Sequence, residues 1–139
     1  MSDSEQNKAA VRSCLEEASQ GNFGALDSVV SRGYILHPEG VRGPEGLAQM
    51  VQGYREAIAD LRVTIEHQFT EGDYVATRST LTGRHEGDLM GTAPTGRDVS
   101  FSMLTISRCH DGKIEEEWEI ADTISLLQQV GALPEVAQA

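Results

Sequence analysis

Leu61-Arg62-Val63-Thr64-Ile65-Glu66-His67-Gln68-Phe69-Thr70 decides the fold, because its apolar residues return every second position. A period of two puts Leu61, Val63, Ile65, His67 and Phe69 on one covered face of a strand and leaves Arg62, Thr64, Glu66, Gln68 and Thr70 on the other. Before Asp60 the period is 3.6. Val11, Cys14, Leu15 and Ala18 form one helical stripe ending near Gly21, with Ser2 or Ser4 as the N-cap and Glu5 in capping-box spacing from Ser2. Asn22 can cap a second, shorter helix ending at Gly33, followed by the apolar run Tyr34-Ile35-Leu36-His37 and Pro38. Gly43-Pro44 opens a third helix with proline in its first turn, and Leu47, Met50, Val51, Tyr54 and Ile58 mark its buried side.

Strands continue after the alternating stretch. Glu71-Gly72-Asp73 turns the chain into a strand from Tyr74 to about His85. The glycine- and proline-bearing segment from Glu86 to Gly96 reads as a loop, and a third strand runs from about Arg97 to Cys109. Asp111-Gly112 reverses the chain into a fourth strand, Lys113 to about Ala121, with Ile114, Glu116, Trp118 and Ile120 on one face. A last helix carries Ile124 and Leu127 and closes near Gly131. Helices first and an antiparallel meander afterwards make an α+β domain. A curved sheet of this kind would enclose a pocket, and Gly83 is a candidate for the bend.

Composition narrows the function. Eleven basic against 22 acidic residues give a net charge of −11, which repels phosphate backbones and anionic bilayers. Three Phe, three Tyr and one Trp are too few for a base-stacking platform. No apolar stretch approaches the roughly 20 residues of a membrane span, and the N-terminus lacks the features of a signal peptide. The expectation is a cytoplasmic protein without nucleic-acid or membrane partners. Cys14 and Cys109 read as small buried hydrophobes rather than as a disulfide or catalytic pair. The four histidines, at positions 37, 67, 85 and 110, lack metal-ligand spacing, so no metal is expected. No phosphate-cradling loop and no Gly-x-Ser-x-Gly elbow is present.

The remaining question is which polar side chains share a face with the apolar ones. Strict alternation turns His67 inward on the first strand and Thr105 inward on the third, beside Val99, Phe101, Met103 and Cys109. On the fourth it carries the inward count from Trp118 through Ile120 to Asp122, and leaves Glu115, Glu117 and Glu119 as outer-face acidity. A carboxylate beside an indole and aliphatic groups loses hydration and gains the raised pKa of a general base. Asp122-Thr123 equally reads as a helix N-cap, which would lower that pKa. His37 before Pro38 reads as a strand-end histidine or a pocket residue, His85 as a loop-edge or pocket residue, and His110 as a turn residue.

The stretch Thr82-Gly83-Arg84-His85-Glu86-Gly87-Asp88-Leu89-Met90-Gly91-Thr92-Ala93-Pro94-Thr95-Gly96-Arg97 resembles the signature of the SnoaL-like polyketide cyclase family, a Gly-x-His-x-Gly followed by Gly-x-x-Pro-Thr-x-Arg. Glu71 to Arg78 is similar to the family's hairpin, and Asp111 to Trp118, Asp122 and Leu126 to Gly131 are similar to its closing strand and helix. The similarity runs from about Asn7 to Pro134, and residues 1–139 are expected to be one such domain. The resemblance implies a nuclear-transport-factor-2-like, cystatin-like cone: a curved antiparallel sheet with helices on one face, assembled as a homodimer or homotetramer through the outer sheet face.

It also implies a cofactor-free enzyme that closes the last ring of an aromatic polyketide ester by intramolecular aldol condensation. The family's general acid/base aspartate matches Asp122, and the resemblance brings His37, His85, Trp118, Thr105 and Met103 forward as contacts to a hydrophobic polycyclic substrate. Two departures stand out. Where known cyclases carry an inward glutamine and histidine, this chain has Met103 and Thr105, and the histidine common before the closing tryptophan is Glu117. An accessory hydroxylase or isomerase, or a non-catalytic small-molecule-binding dimer module, are the alternative readings of the same fold.

Overall fold

The computed structural model describes residues 2–134. Helix α1 (Asp3–Ser19) starts where the sequence places it: the Ser2 hydroxyl caps it by accepting from the Glu5 N–H at 3.2 Å. A 3-10 turn (Phe23–Ala25) and one helical turn α2 (Leu26–Val29) lead into strand β1 (Val30–His37). The predicted second helix therefore stops four residues short of Gly33. Val29, Val30, Tyr34 and Leu36 are β-branched or bulky residues that pack against the sheet, and Val30, Tyr34 and Leu36 are buried there. After the short strand β2 (Val41–Arg42), Pro44 occupies the first turn of α3 (Gly43–Ala57).

Four long strands follow: β3 (Ile58–Glu71), β4 (Tyr74–His85), β5 (Asp98–His110) and β6 (Lys113–Ala121). The sheet order is β2-β1-β6-β5-β4-β3. All neighbours are antiparallel except β1 and β6, which pair in parallel, so the sheet is mixed rather than wholly antiparallel. It is curved and unclosed. Helices α1 and α3 lie against its concave side, and α4 (Thr123–Gln129) packs on β5. Among the described residues no helix is long and apolar enough to cross a membrane.

Three irregularities shape strands β3, β4 and β6, beside a register shift between Val30 and Ile35 where β1 meets β6. Asp60, at φ 56°, sits in a register shift between Ala59 and Arg62 of β3. There β4 comes so close that a Cβ on Gly83 would press on Ile58 and lie 2.7 Å from the Ala59 carbonyl oxygen. Gly83 is therefore the residue that lets the two strands bend together. A second bulge leaves Glu66 unmatched, since Ile65 faces Ser79 and His67 already faces Arg78. It reverses the parity of the rest of β3. His67 and Phe69 point outward, Phe69 being 68% exposed, and Gln68 and Thr70 take the inner positions expected for them.

The third bulge lies in β6. Cys109 pairs with Ile114 but Arg108 pairs with Glu116, which leaves Glu115 as the extra residue. The core fills the space between sheet and helices in two clusters. One gathers Val11, Cys14, Leu26, Tyr34, Leu36 and Ile114; the other gathers Ile58, Leu61, Leu81, Phe101, Met103 and Leu126.

Candidate active site

The concave face holds a cavity between β3–β6 on one side and α1 and α3 on the other. Its sheet wall is Leu61, Val63, Leu81, Phe101, Met103 and Thr105; α3 supplies Leu47, Met50, Val51 and Tyr54, and α1 supplies Cys14, Leu15, Ala18 and Ser19. Burial pushes the Cys14 thiol up and the Cys109 thiol up to about 12, so both cysteines are protonated packing residues.

Two carboxylates reach this apolar space, and neither is Asp122. Because the Glu115 bulge reverses parity on β6, Glu117, Glu119 and Ala121 line the concave side, while Trp118 and Ile120 face out at 38% and 75% exposure. The faces expected from strict alternation are thus exchanged over the last six residues of the strand, Glu116 to Ala121. Nothing in the acidic run Glu115-Glu116-Glu117 marks where the extra residue falls, since any of the three could sit unpaired at the surface.

Glu119 lies directly across from Thr105 in the antiparallel pairing of β5 and β6. Burial pushes its carboxyl up to about 7, with Glu117 and then Glu39 adding to the rise, and no hydrogen bond or cation offsets it. Tyr54 lies near enough for the Glu119 charge to push its phenol up, after burial. The Thr105 hydroxyl, in a residue 3% exposed, has no hydrogen-bond partner among the described residues. A cross-strand pair in this geometry sets the two Cβ atoms about 5 Å apart. The arrangement therefore offers a carboxyl that holds or gives up a proton near neutral pH, beside an unused hydroxyl, in an apolar chamber.

Glu117 is held differently. It is buried, and its carboxylate accepts a hydrogen bond from the Tyr34 hydroxyl at 2.6 Å and another from the Ser107 hydroxyl. Burial raises its pKa and the two donors oppose the rise.

The residues proposed from sequence fall in four places. Met103 and Thr105 stand in the cavity wall. Asp122 does not: it is exposed, and it caps α4 by accepting from the Ser125 N–H at 3.1 Å. The inward path counted from Trp118 through Ile120 fails because both of those residues are on the other face. His37 and Trp118 are also on the convex side, where their rings stack at 5.5 Å and His37 Nε2 lies 2.8 Å from a Glu116 oxygen. His85 is fully buried but away from the cavity. Its Nδ1 accepts from the Thr95 N–H at 3.2 Å and lies 3.0 Å from the Thr95 hydroxyl, so it fastens the 86–97 loop to the end of β4.

The chain matches the description of the SnoaL-like polyketide cyclase over residues 8–130. It is 31% identical over 134 residues to the aklanonic acid methyl ester cyclase AcmA of Streptomyces galilaeus, covering 88% of this chain and 89% of that one. It is 32% identical over 100 residues to the aklanonic acid methyl ester cyclase DnrD of Streptomyces peucetius, covering 71% of this chain and 69% of that one. Among solved structures, TsrD from Streptomyces laurentii superposes with a TM-score of 0.85 at 27% identity, over 93% of this chain and 97% of that one. IdmH from Streptomyces antibioticus gives 0.80 at 29% identity, over 91% and 99%. The signature loop, the mixed curved sheet and the apolar chamber agree with these matches, and the chain belongs to the SnoaL-like polyketide cyclase family.

Proposed function

We propose that the protein closes a ring of an aromatic polyketide ester by intramolecular aldol condensation, with Glu119 as the general acid/base. The observation that carries this is the Glu119 carboxyl on the cavity wall, raised to about 7 by burial and facing the unpartnered hydroxyl of Thr105. A base is most useful when its pKa lies near the operating pH. The ionised Glu119 takes a proton from a carbon flanked by carbonyl groups, and the electron pair is delocalised onto the carbonyl oxygen. The Thr105 hydroxyl donates to that oxygen. The enolate carbon then attacks the second carbonyl carbon, a carbon–carbon bond forms, and the new alkoxide takes the proton back from Glu119. Proton count and charge close without an external donor.

Phe101, Met103, Leu81 and Met50 supply an apolar wall for a flat polycyclic body. Met103 and Thr105 are thus retained as substrate contacts. His37, His85 and Trp118 leave that set for the positions described above. The molecule works as a homodimer, or a pair of dimers, joined through the convex face. Phe69, Tyr74, Leu104, Ile106, Trp118 and Ile120 are all exposed there. The register links Ala76 to Ile106 to Trp118, and Arg78 to Leu104 to Ile120, so the apolar side chains adjoin across three strands.

Cyclisation of aklanonic acid methyl ester, followed by chromatography, tests the assignment. Glu119→Gln is expected to lower kcat by about 10²- to 10⁴-fold, whereas Asp122→Asn retains most of the activity. Full activity in the first variant and loss in the second would return the acid/base role to Asp122.

A further inference from the structure

Glu117 carries more information than a satisfied buried carboxylate needs to. It is the inward residue next to Glu119 on β6, about 7 Å away along the strand, and both line the same chamber. The groups that face this pair come from every neighbouring element: Cys14 from α1, Tyr34 from β1, Glu39 after β1, Tyr54 from α3, and Thr105, Ser107 and Cys109 around β5. No lysine, arginine or histidine contributes at either carboxyl among the described residues. Two like charges in an apolar space without a counter-ion repel, so the second ionisation is held back and one proton is retained between them until the pH passes its midpoint.

The hydrogen bonds decide where that proton resides. Both Glu117 oxygens receive hydroxyl donors, from Tyr34 and Ser107, while no hydrogen bond steadies the Glu119 anion. A donor to each oxygen favours the ionised form of the group that receives it. We propose that Glu117 and Glu119 act as one acid–base unit, in which Tyr34 and Ser107 hold the negative charge on Glu117 and leave the proton on Glu119, the member that faces Thr105. Glu117 is then a positioning residue: it touches no substrate and acts through Glu119. This rests on Glu119 being the acid/base of the proposed cyclisation, but the proton distribution can be read without any substrate.

The experiment is a carbon-13 NMR titration of the protein labelled at glutamate side-chain carboxyls, from about pH 4 to about pH 9, with Glu119→Gln and Glu117→Gln assigning the two resonances. In the wild type the Glu119 resonance is expected to titrate near 7, and the Glu117 resonance to register the same midpoint. In Glu117→Gln the Glu119 midpoint falls by roughly one to two pH units. The low-pH limb of kcat against pH moves down by the same amount. An unmoved Glu119 midpoint overturns the proposal. Should Glu117→Gln not fold, Tyr34→Phe removes one donor and keeps the ring. Charge then spreads to Glu119, and its midpoint falls by a smaller amount; an unchanged midpoint there also overturns the proposal. Continued cyclisation by Glu119→Gln would instead defeat the catalytic assignment while leaving the titration result standing.

Discussion

The two faces of β6 invert the usual rule for sheets. Glutamates 117 and 119 point into the protein, and Trp118 and Ile120 point away from it. Packing alone would choose the opposite, because burying a carboxylate and exposing an isoleucine are both unfavourable. Each face makes sense only as half of something larger. Under the proposed function the concave half meets a substrate with its carboxyl and hydroxyl, and the convex half meets a second subunit with its apolar side chains. What separates them is one residue, Glu115, left unmatched against Arg108 and Cys109.

The harshest way to break this contrast is to shift the register. Inserting one alanine between Glu116 and Glu117 turns both cavity carboxylates outward and drives Trp118 and Ile120 into a chamber shaped for smaller groups. Circular dichroism melting is expected to show loss of cooperative unfolding. Deleting Glu115 is the contrasting case, since Ile114 followed by Glu116 already alternates correctly. The faces keep their sides, and the deletion costs the half-exposed Arg108–Glu115 contact at 2.8 Å, worth less than about 1 kcal/mol. Activity should survive it. Comparable stability of the insertion and the deletion would show that the bulge does not set the faces.

A smaller blow falls on the convex face alone. Ile120→Glu places an unpaired charge on the face proposed for dimerisation and should weaken that association by several kcal/mol, on the order of 10³-fold. Light scattering should then give the monomer mass near 15.1 kDa rather than twice that. A monomeric wild type would overturn the dimer, and a dimer indifferent to the substitution would place the interface elsewhere.

The concave face has its own signature in stability against pH. Glu119 has a value near 7 in the folded protein, above the roughly 4.3 of an unfolded glutamate. The folded state therefore binds the proton more tightly. Its stabilising contribution is complete below about 4.3 and is lost as pH rises through about 7. Glu119→Gln has no such loss, so its Tm should exceed that of the wild type by a margin that widens from pH 5 to about pH 8. Equal margins at both ends would mean that Glu119 is not desolvated in the folded protein.

How far the sequence reaches is clearest at the bulges. Periodicity locates α1, α3 and the four long strands, because each carries enough apolar repeats to define its own phase. It also makes Thr105 and Met103 inward, since β5 alternates without interruption from Val99 to Ser107. Parity fails beyond Glu66 and beyond Glu115, where the inserted residue is itself polar and leaves no trace in an apolar count. Val30 to Leu36 is too short a run to reveal a strand that pairs in parallel with β6, 81 to 84 positions further along the chain. Glu119 was hidden for the same reason as the Glu115 bulge: the phase of β6 was set from Ile114, on the wrong side of the extra residue.

The smallest effect bears on Asp122, the residue that parity and resemblance both point toward. The structure gives it one visible task, to accept the Ser125 N–H at the start of α4. Replacing such a cap with alanine costs about 1 kcal/mol. The loss should appear in denaturant unfolding as a lower midpoint at unchanged slope, because the cap is exposed and the surface uncovered on unfolding stays the same. Asparagine keeps an oxygen for the Ser125 N–H and forfeits only the charge near the helix start, so Asp122→Asn should lie within a few tenths of a kcal/mol of the wild type. Helix α4 packs on β5, the strand that carries Thr105, so loosening it could reach the cavity only through that strand. Asp122→Ala should therefore raise KM more than it lowers kcat. A selective collapse of kcat in Asp122→Asn, with the unfolding midpoint unchanged, would mean that this carboxylate turns inward during turnover and shares the proton transfer with Glu119.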